Sequence, residues 1–238
     1  MKIALVNEQL ESAAIRRLNI DGFTVIPLPP DRRLSEAVCR HPDTLIARIG
    51  DNIITTAEYA EDALCVFSDI REYLPDIRQH FSSDERGDLY PSDVVMNILV
   101  MGKRAFGKCD SLSECVKDVL CKDGIELIGT RQGYPACTVL KLSDDAAITA
   151  DRGMARILRD QGVNVTVISE GGILLPPHEY GFIGGASAVY NNKVYFFGDI
   201  TTHKDHELIV STIEALGMEA VSLLDGELTD LGGIIFLE

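Results

Sequence analysis

The sequence predicts an α/β fold in which about five copies of one structural unit form a ring closed by the two ends of the chain. Three observations lead to this prediction. The order strand, tight turn, strand, helix, strand recurs along the chain, a glycine follows most of the helices, and the first unit lacks its opening strand. Repeats of this kind are typical of propellers, in which each unit packs against its neighbours.

The clearest unit occupies residues 138–168. Its helix begins at Asp151 and ends at a glycine, and its apolar residues fall on one helical face. The helix of the following unit begins near Thr202, and a capping box of Ser111 and Glu114 opens the helix of the preceding unit. The strands predicted in these three units are 138–142, 146–149, 163–168, 181–189, 193–197, 218–224, 97–101, 104–106 and 125–129.

The two ends of the chain complement each other. Residues 2–6, a helix capped by Asn7 and the strand 23–28 form a unit without a first strand. Residues 232–238 have the pattern of that missing strand. Pairing of the two ends removes the exposed sheet edges that an open array of strands would present.

The second unit is irregular. Residues 44–49 and 52–56 predict its hairpin, but residues 59–81 contain no glycine followed by a clear strand. The pattern therefore leaves the structure of residues 59–92 undetermined.

Charge and length restrict the classes of function. The 238 residues are enough for one large core, so we expect a single domain spanning residues 1–238. The net charge of −15 and the pI near 4.7 oppose nucleic acid or an anionic membrane as the main partner. This charge is more easily explained by solubility of the protein or by attraction of a cation.

The six cysteines and the apolar segments indicate a cytoplasmic protein. The cysteines show neither metal-type nor disulfide-framework spacing, which favours reduced and mostly buried thiols. No apolar run is long enough for a signal peptide or a membrane span.

Four short segments carry a resemblance to a known fold. They are residues 132–134, 148–151, 181–187 and 231–236. With the repeat, they make the sequence resemble an uncharacterised bacterial branch of the pentein fold, over nearly the whole chain. That fold is the five-bladed β/α propeller of guanidino-modifying enzymes, which include arginine and agmatine deiminases, dimethylarginine hydrolases and amidinotransferases.

The sequence departs from that family at both of its usual catalytic positions. The family's nucleophilic cysteine follows a Gly-Gly pair in the final strand, where this chain has Phe236 or a neighbouring isoleucine. The family's acid/base histidine is replaced by Ala150-Asp151 in our register. A hydrocarbon side chain cannot form the covalent adduct, and an ordinary carboxylate is a poor proton shuttle near neutral pH. The standard deiminase mechanism is therefore not expected.

The resemblance implies a central funnel where second strands end and helices begin. Asp151 and Asp199 occupy this place in two successive units, and Asp230 precedes the last strand. Such carboxylates can hold a guanidinium or amine through charge-assisted hydrogen bonds. The alternatives are helix capping for Asp151 and Asp199 and a turn position for Asp230.

Other residues offer further candidates. His203 and His206 lie three apart at a helix start, but a metal site needs more ligands than the sequence identifies, so we predict neither metal nor cofactor. Cys137 is the thiol to consider as a displaced nucleophile, with a buried structural cysteine as the alternative. Residues 41–43, His-Pro-Asp, are interpreted as the end of a loop before the next strand, and the alternative is that they lie at the funnel.

Paired glycines recur near the first strands. Their spacing fits neither a dinucleotide fingerprint nor a phosphate loop, and close backbone approach at a crowded axis explains them. Their backbone amides are also candidate ligand contacts. The candidates are Gly184, Gly185, Gly232 and Gly233.

Two classes of function remain open, besides a structural alternative. The first is a pentein without standard catalysis, which binds a small cationic metabolite in an acidic funnel or another protein at its rim. The second is a hydrolase or amidinotransferase that acts on an amidino compound through Asp151, His203 and Cys137. A doubly wound nucleotide-binding domain is the structural alternative, and one strand per helix would identify it.

Overall fold

A computed structural model describes residues 1–238 and arranges most of the strands in five three-stranded sheets. The first part of the chain contains β1 (Lys2–Asn7), α1 (Ser12–Ile20), β2 (Phe23–Leu28), α2 (Pro42–Leu45), β3 (Ala47–Ile49), β4 (Asn52–Thr56), α3 (Ala57–Asp62), α4 (Leu64–Tyr73) and β5 (Arg78–Ser82). The middle part contains β6 (Leu99–Met101), β7 (Arg104–Gly107), α5 (Glu114–Lys122), β8 (Glu126–Gly129), α6 (Pro135–Thr138), β9 (Val139–Lys141), β10 (Ala146–Thr149), α7 (Arg152–Asp160) and β11 (Asn164–Val167). The last part contains β12 (Ile173–Leu174), β13 (Ser187–Tyr190), β14 (Lys193–Phe196), a 3-10 turn (Ile200–Thr202), α8 (His206–Ala215), β15 (Glu219–Ser222), β16 (Leu228–Thr229) and β17 (Ile235–Leu237).

All five sheets share one topology. The middle strand pairs antiparallel with the first strand and parallel with the third, as in β9-β10-β11. In the sheet formed by the two chain ends, β1 is the middle strand. It pairs antiparallel with β17, with Ile3 opposite Leu237, and parallel with β2. This confirms the predicted pairing of the two chain ends. Two strands precede the main helix in each of the other four units, and β17 supplies the second strand beside β1, which excludes the doubly wound alternative.

The core consists of five apolar clusters, each between two sheets that follow one another. Alternation along β1 shows how one strand serves two clusters. Ile3 and Leu5 pack towards the second sheet, whereas Ala4 and Val6 pack towards the last one. Side chains of a strand alternate between its two faces, so both faces of each sheet are buried. The three other clusters join the second sheet to the third, the third to the fourth, and the fourth to the fifth.

Short helices replace the starts of two predicted strands. Residues 44–49 and 138–142 were predicted to be extended throughout, but α2 ends at Leu45 and α6 at Thr138. Each helix has a proline in its first turn, where the fixed φ of proline favours helical backbone. Similarly, β13 begins only at Ser187 rather than at residue 181.

Three predicted helix starts also lie elsewhere. The first helix begins at Ser12, because the Asn7 side chain accepts a hydrogen bond from Gln9 in a preceding turn. Ser113 rather than Ser111 caps α5, accepting from the Cys115 amide at 3.1 Å. Residue 202 ends a 3-10 turn instead, and α8 begins only at His206.

The irregular segment contains two helices and a strand. Residues 57–73 form α3 and α4, and β5 then pairs parallel with β4. Beyond β5, the buried Arg86 anchors the chain by donating to Asp31 Oδ2 at 2.9 Å and to the Leu45 carbonyl at 2.5 Å. Its guanidinium also lies over the Tyr59 ring, 5.6 Å from the centroid. None of the helices combines the length and apolar character needed to cross a membrane.

Candidate functional site

The segments that precede the first strands of all five sheets meet around one cavity of about 390 Å³. We call it the main cavity. Its lining residues are Val38, His41, Tyr90, Gln132, Tyr134, Cys137, Leu175, His178, Glu179, Tyr180, Phe182 and Asp230. The first strands themselves line a second cavity of about 330 Å³, which includes Asp43.

Asp230 provides the buried carboxylate of the main cavity. It is 2% exposed and accepts hydrogen bonds from the amides of Phe182, at 2.9 Å, and Gly232, at 3.1 Å. Burial raises the pKa of Asp230, and His41 and the two amides oppose this rise. The carboxylate therefore has fixed donors on the protein side and borders a cavity on the other.

Glycines allow the backbone to approach this carboxylate. A Cβ on Gly185 would lie 2.0 Å from Asp230 Oδ1, and one on Gly184 would lie 2.4 Å from the Ala136 carbonyl oxygen. Gly232 has a φ of +76°, and a Cβ there would lie 2.3 Å from His41 Cβ. Gly233 also has a positive φ, +71°. The close packing predicted from the glycine pairs is confirmed at Gly184, Gly185 and Gly232.

His41 borders the same carboxylate. Its Nδ1 atom lies 3.6 Å from Asp230 Oδ1 and has no hydrogen-bond partner, and the residue is 3% exposed. Burial lowers the pKa of His41, against the opposing effect of Asp230. At neutral pH the imidazole is therefore uncharged and does not neutralise Asp230.

Cys137 lies in the wall of the main cavity, on α6, between two polar side chains. Its Sγ accepts a hydrogen bond from Asn97 Nδ2 at 3.2 Å, and its thiol lies near Asp43. Burial and the charges of Asp43 and Asp230 raise the pKa of Cys137 well above its ordinary value. The residue is thus at the site but stays a thiol in the unliganded protein.

Asn97 links Cys137 to the backbone of Asp43 and of Ala136. The Asn97 side chain also donates to the Asp43 carbonyl at 3.1 Å and accepts from the Ala136 amide at 2.9 Å. Asp43 Oδ1 is sealed from solvent and has no partner. Burial, followed by the charge of Asp230, raises the pKa of Asp43 well above its usual range.

Asp151 lies in an adjoining cavity of about 350 Å³, which shares Gln132, Tyr180 and Phe182 with the main cavity. Its Oδ1 accepts from the Met154 amide at 2.9 Å, so it caps α7, and its Oδ2 accepts from Gln132 Nε2 at 2.9 Å. The capping alternative for Asp151 is confirmed, and a hydrogen bond through Gln132 links it to the main cavity.

Asp199 and His203 lie outside both of these cavities. Asp199 accepts from the Thr201 amide at 2.9 Å and caps the 3-10 turn. His203 is buried beside Gly172, and its Nδ1 accepts from the Asp205 amide at 3.1 Å. No cluster of three or more potential metal-ligating His, Cys, Asp or Glu side chains occurs. The structure therefore brings Cys137 and Asp230 together but not Asp199 and His203.

The fold defines a class of protein. It resembles the solved structures of guanidino-modifying enzymes, and the chain has the pentein fold. A dimethylarginine dimethylaminohydrolase from Pseudomonas aeruginosa, complexed with citrulline, aligns with 93% of this chain and 90% of its own at 14% identity and a TM-score of 0.59. The inosamine-phosphate amidinotransferase StrB1 of Streptomyces griseus aligns with 92% of this chain and 74% of its own, at 14% identity and a TM-score of 0.53. An amidinotransferase of saxitoxin biosynthesis from Microseira wollei aligns with 87% and 72%, at 12% identity and a TM-score of 0.55.

The chain belongs to DUF6873, a family of unknown function whose model matches residues 5–235. A search of curated proteins finds no match.

Proposed function

We propose that this protein binds a small cationic metabolite, with a guanidino or amino group, through Asp230 in the main cavity. The observation that carries this proposal is a buried carboxylate that borders the cavity while no lysine or arginine lines it. Buried carboxylates without a cationic partner are rare in proteins, because their desolvation is costly. A bound cation would provide the missing partner.

The proposal includes a ring arrangement. The five sheets are the blades of a propeller, and the main cavity is the funnel at one end of its axis. Two observations support this: the five apolar clusters join the sheets in cyclic order, and the first strands of all five sheets line one common cavity. In this arrangement, residues just before the first strands lie nearest the axis. Asp230 would therefore lie closer to the axis than Asp151 and Asp199.

The local chemistry favours a donor-rich cation. Asp230 receives two amide hydrogen bonds from the protein, and a carboxylate has room for about four. A guanidinium or ammonium group can supply the others as charge-assisted bonds, which are stronger than neutral ones. The amides of Gly185 and Gly233 are engaged with backbone carbonyls, so in this proposal these glycines shape the site rather than donate to the ligand.

A second function is favoured by one observation, the position of the Cys137 thiol beside Asp43 in the cavity wall. A bound amidino compound would bring positive charge near the thiol and lower its pKa. Asp43, ionised when the cation is bound, would take the thiol proton, and the thiolate would attack the amidino carbon. Asp43 would return that proton to the amine that leaves as the C–N bond breaks, and water or a second amine would then cleave the S-amidino adduct. This hydrolase or transferase function needs no cysteine in the last strand. In this version, Cys137→Ala would abolish turnover and leave cation binding intact.

Thermal-shift measurements with matched cation and neutral pairs test the binding proposal. Guanidines should be compared with ureas, and amines with alcohols of the same skeleton. Cations are expected to raise Tm, because a ligand at 100 times its Kd stabilises the native state by about 2.7 kcal/mol. Asp230→Asn should abolish the effect, and Asp199→Asn, outside the main cavity, should retain it. Equal shifts from the charged and neutral members of each pair would contradict the proposal.

A further inference from the structure

The wall of the main cavity is mostly apolar, since 7 of its 12 lining residues are hydrophobic. Four aromatic rings and two aliphatic side chains line it: Tyr90, Tyr134, Tyr180, Phe182, Val38 and Leu175. The rings of Tyr90 and Tyr134 are neighbours, with centroids 6.2 Å apart. Aromatic surface of this kind binds hydrophobic bodies and interacts favourably with cations.

The hydroxyl groups of two of these tyrosines are bonded to groups outside the cavity lining. Tyr134 donates to Asp93, and Tyr90 donates to the Arg131 carbonyl at 3.3 Å. Because these hydroxyls are already engaged, both side chains offer the ligand mainly apolar surface.

The charges around the cavity have one sign. Asp230 is buried in the wall and Glu179 is exposed within the lining. His41 carries no charge at neutral pH, and His178 is the remaining basic side chain of the lining. A ligand carboxylate in this cavity would be desolvated without a lysine or arginine to pair with, and it would lie near the carboxylates of Asp230 and Glu179.

The lining of the adjoining cavity also carries net negative charge. Arg152 lines the adjoining cavity, where its side chain is exposed. Asp151 and Glu170 line the same cavity, so their two negative charges outnumber the one positive charge. The carboxylate of an α-amino acid is thus opposed by net negative charge in both cavities.

From this wall we infer that the ligand is an amine or guanidine on an apolar, preferably aromatic, body that carries no carboxylate. This inference rests on the proposed function of Asp230 and adds a selection rule to it. The cationic group binds Asp230, the body packs against the aromatic and aliphatic wall, and amino acids are rejected by their carboxylates.

Pairs of compounds that differ only in the carboxylate test the rule. Binding of phenethylamine and phenylalanine, tyramine and tyrosine, and isopentylamine and leucine should be measured by calorimetry at pH 7.5 with the intact protein. Each amine is expected to bind at least tenfold more tightly than its amino acid. Phenylalanine methyl ester separates size from charge, because it keeps the bulk and masks the carboxylate, and it should bind like the amine.

A designed variant provides a positive side chain for a ligand carboxylate. Leu175→Arg places a positive charge in the cavity wall, and it should reduce the difference in affinity between phenethylamine and phenylalanine. Leu174→Arg is the matched control, since Leu174 is 43% exposed and does not line the cavity. The control should keep the wild-type difference, and circular dichroism checks that both variants fold.

The possible results separate the two claims. If phenylalanine binds wild-type protein as tightly as phenethylamine, and Asp230→Asn abolishes both, the selection rule is wrong while the anchor at Asp230 stands. If Arg152→Ala removes a preference for phenylalanine, the adjoining cavity accepts carboxylates and the rule is wrong. If no amine or guanidine binds the wild type, the rule and the proposed function fail together.

Discussion

The Nδ1 atom of His41 lies 3.6 Å from Oδ1 of Asp230, and burial shifts the pKa values of both groups towards their uncharged forms. His41 precedes the second sheet, and Asp230 precedes the last strand of the chain. The contact joins distant segments around a buried carboxyl group, and no lysine or arginine lines the cavity beside it. The arrangement has measurable consequences for stability and binding.

Stability should depend on pH through the buried acids. Folding raises the pKa of Asp43 and Asp230, so their contribution is fully present below the unfolded carboxyl pKa of about 3.9 and is lost as pH rises through the folded pKa values. Asp43→Asn removes one ionisation. Its free energy of unfolding, relative to wild type, should rise between pH 4 and pH 8 in urea titrations. The rise is at most about 1.4 kcal/mol for every pH unit that separates the unfolded and folded pKa values of Asp43.

Asp199→Asn is the control for this experiment. Hydrogen bonds from Thr201 lower the pKa of Asp199, so the same substitution there should give no gain in stability at high pH. A difference between Asp43→Asn and wild type that stays constant with pH would contradict the assignment of Asp43 as a buried acid.

Thiol labelling should distinguish Cys137 from the surface cysteines. Cys65 and Cys121 are exposed, whereas Cys137 is buried and its pKa is raised. Iodoacetamide at pH 8 should modify the first two in the native protein and reach Cys137 only after unfolding, because the thiolate is the reactive form. Mass spectrometry of the peptides measures this order. Native labelling of Cys137 at the rate of Cys65 would show that its thiol is accessible and activated.

A methyl group at Gly185 should disrupt the site. Its Cβ would lie 2.0 Å from Asp230 Oδ1, so the carboxylate or the backbone must move, at a cost of about 1–3 kcal/mol. Gly185→Ala should therefore lower Tm and abolish cation binding. Gly129→Ala is the control, because its Cβ would meet a single side-chain sulfur, Cys109 Sγ, at 3.3 Å. If Gly185→Ala binds cations like wild type, Asp230 is not held as described.

The Arg86–Asp31 pair should be essential because both side chains are inaccessible to solvent. Arg86→Met would leave the Asp31 carboxylate buried with fewer donors, and removal of one partner from such a pair costs about 3–5 kcal/mol. The double variant Arg86→Met, Asp31→Asn should recover part of this loss in urea unfolding. Arg16→Ala, at an exposed position, controls for loss of an arginine. A double variant less stable than Arg86→Met would contradict the explanation.

The sequence predicted the repeat and the closure because both depend on local patterns. Alternating apolar residues mark the strands, and the unit without a first strand identified residues 232–238 as the partner of residues 2–6, as the pairing of Ile3 with Leu237 confirms. Predicted strand starts were wrong where prolines begin α2 and α6, since tertiary packing and proline geometry together override strand propensity there. The strand β5 was not predicted because its residues do not alternate clearly between buried and exposed.

The site was less predictable because its residues are distant in sequence. Asp230 and Cys137 were among the candidates, and the structure brings both to the main cavity. His41 and Asp43 were interpreted chiefly as punctuation before a strand, and only the packing of that loop against Gly232 places them at the site. Asn97 carried no sequence signal, because its role depends on contacts with α6 that span 40 residues.

Calorimetric titration of phenethylamine and phenylguanidine into wild-type, Asp230→Asn and Asp199→Asn proteins tests the central claim most directly. We expect saturable binding to the wild type and to Asp199→Asn, and at least a tenfold loss of affinity in Asp230→Asn, because the neutral amide cannot form the ion pair. Equal affinities for the wild type and Asp230→Asn would show that the buried carboxylate does not anchor a cation.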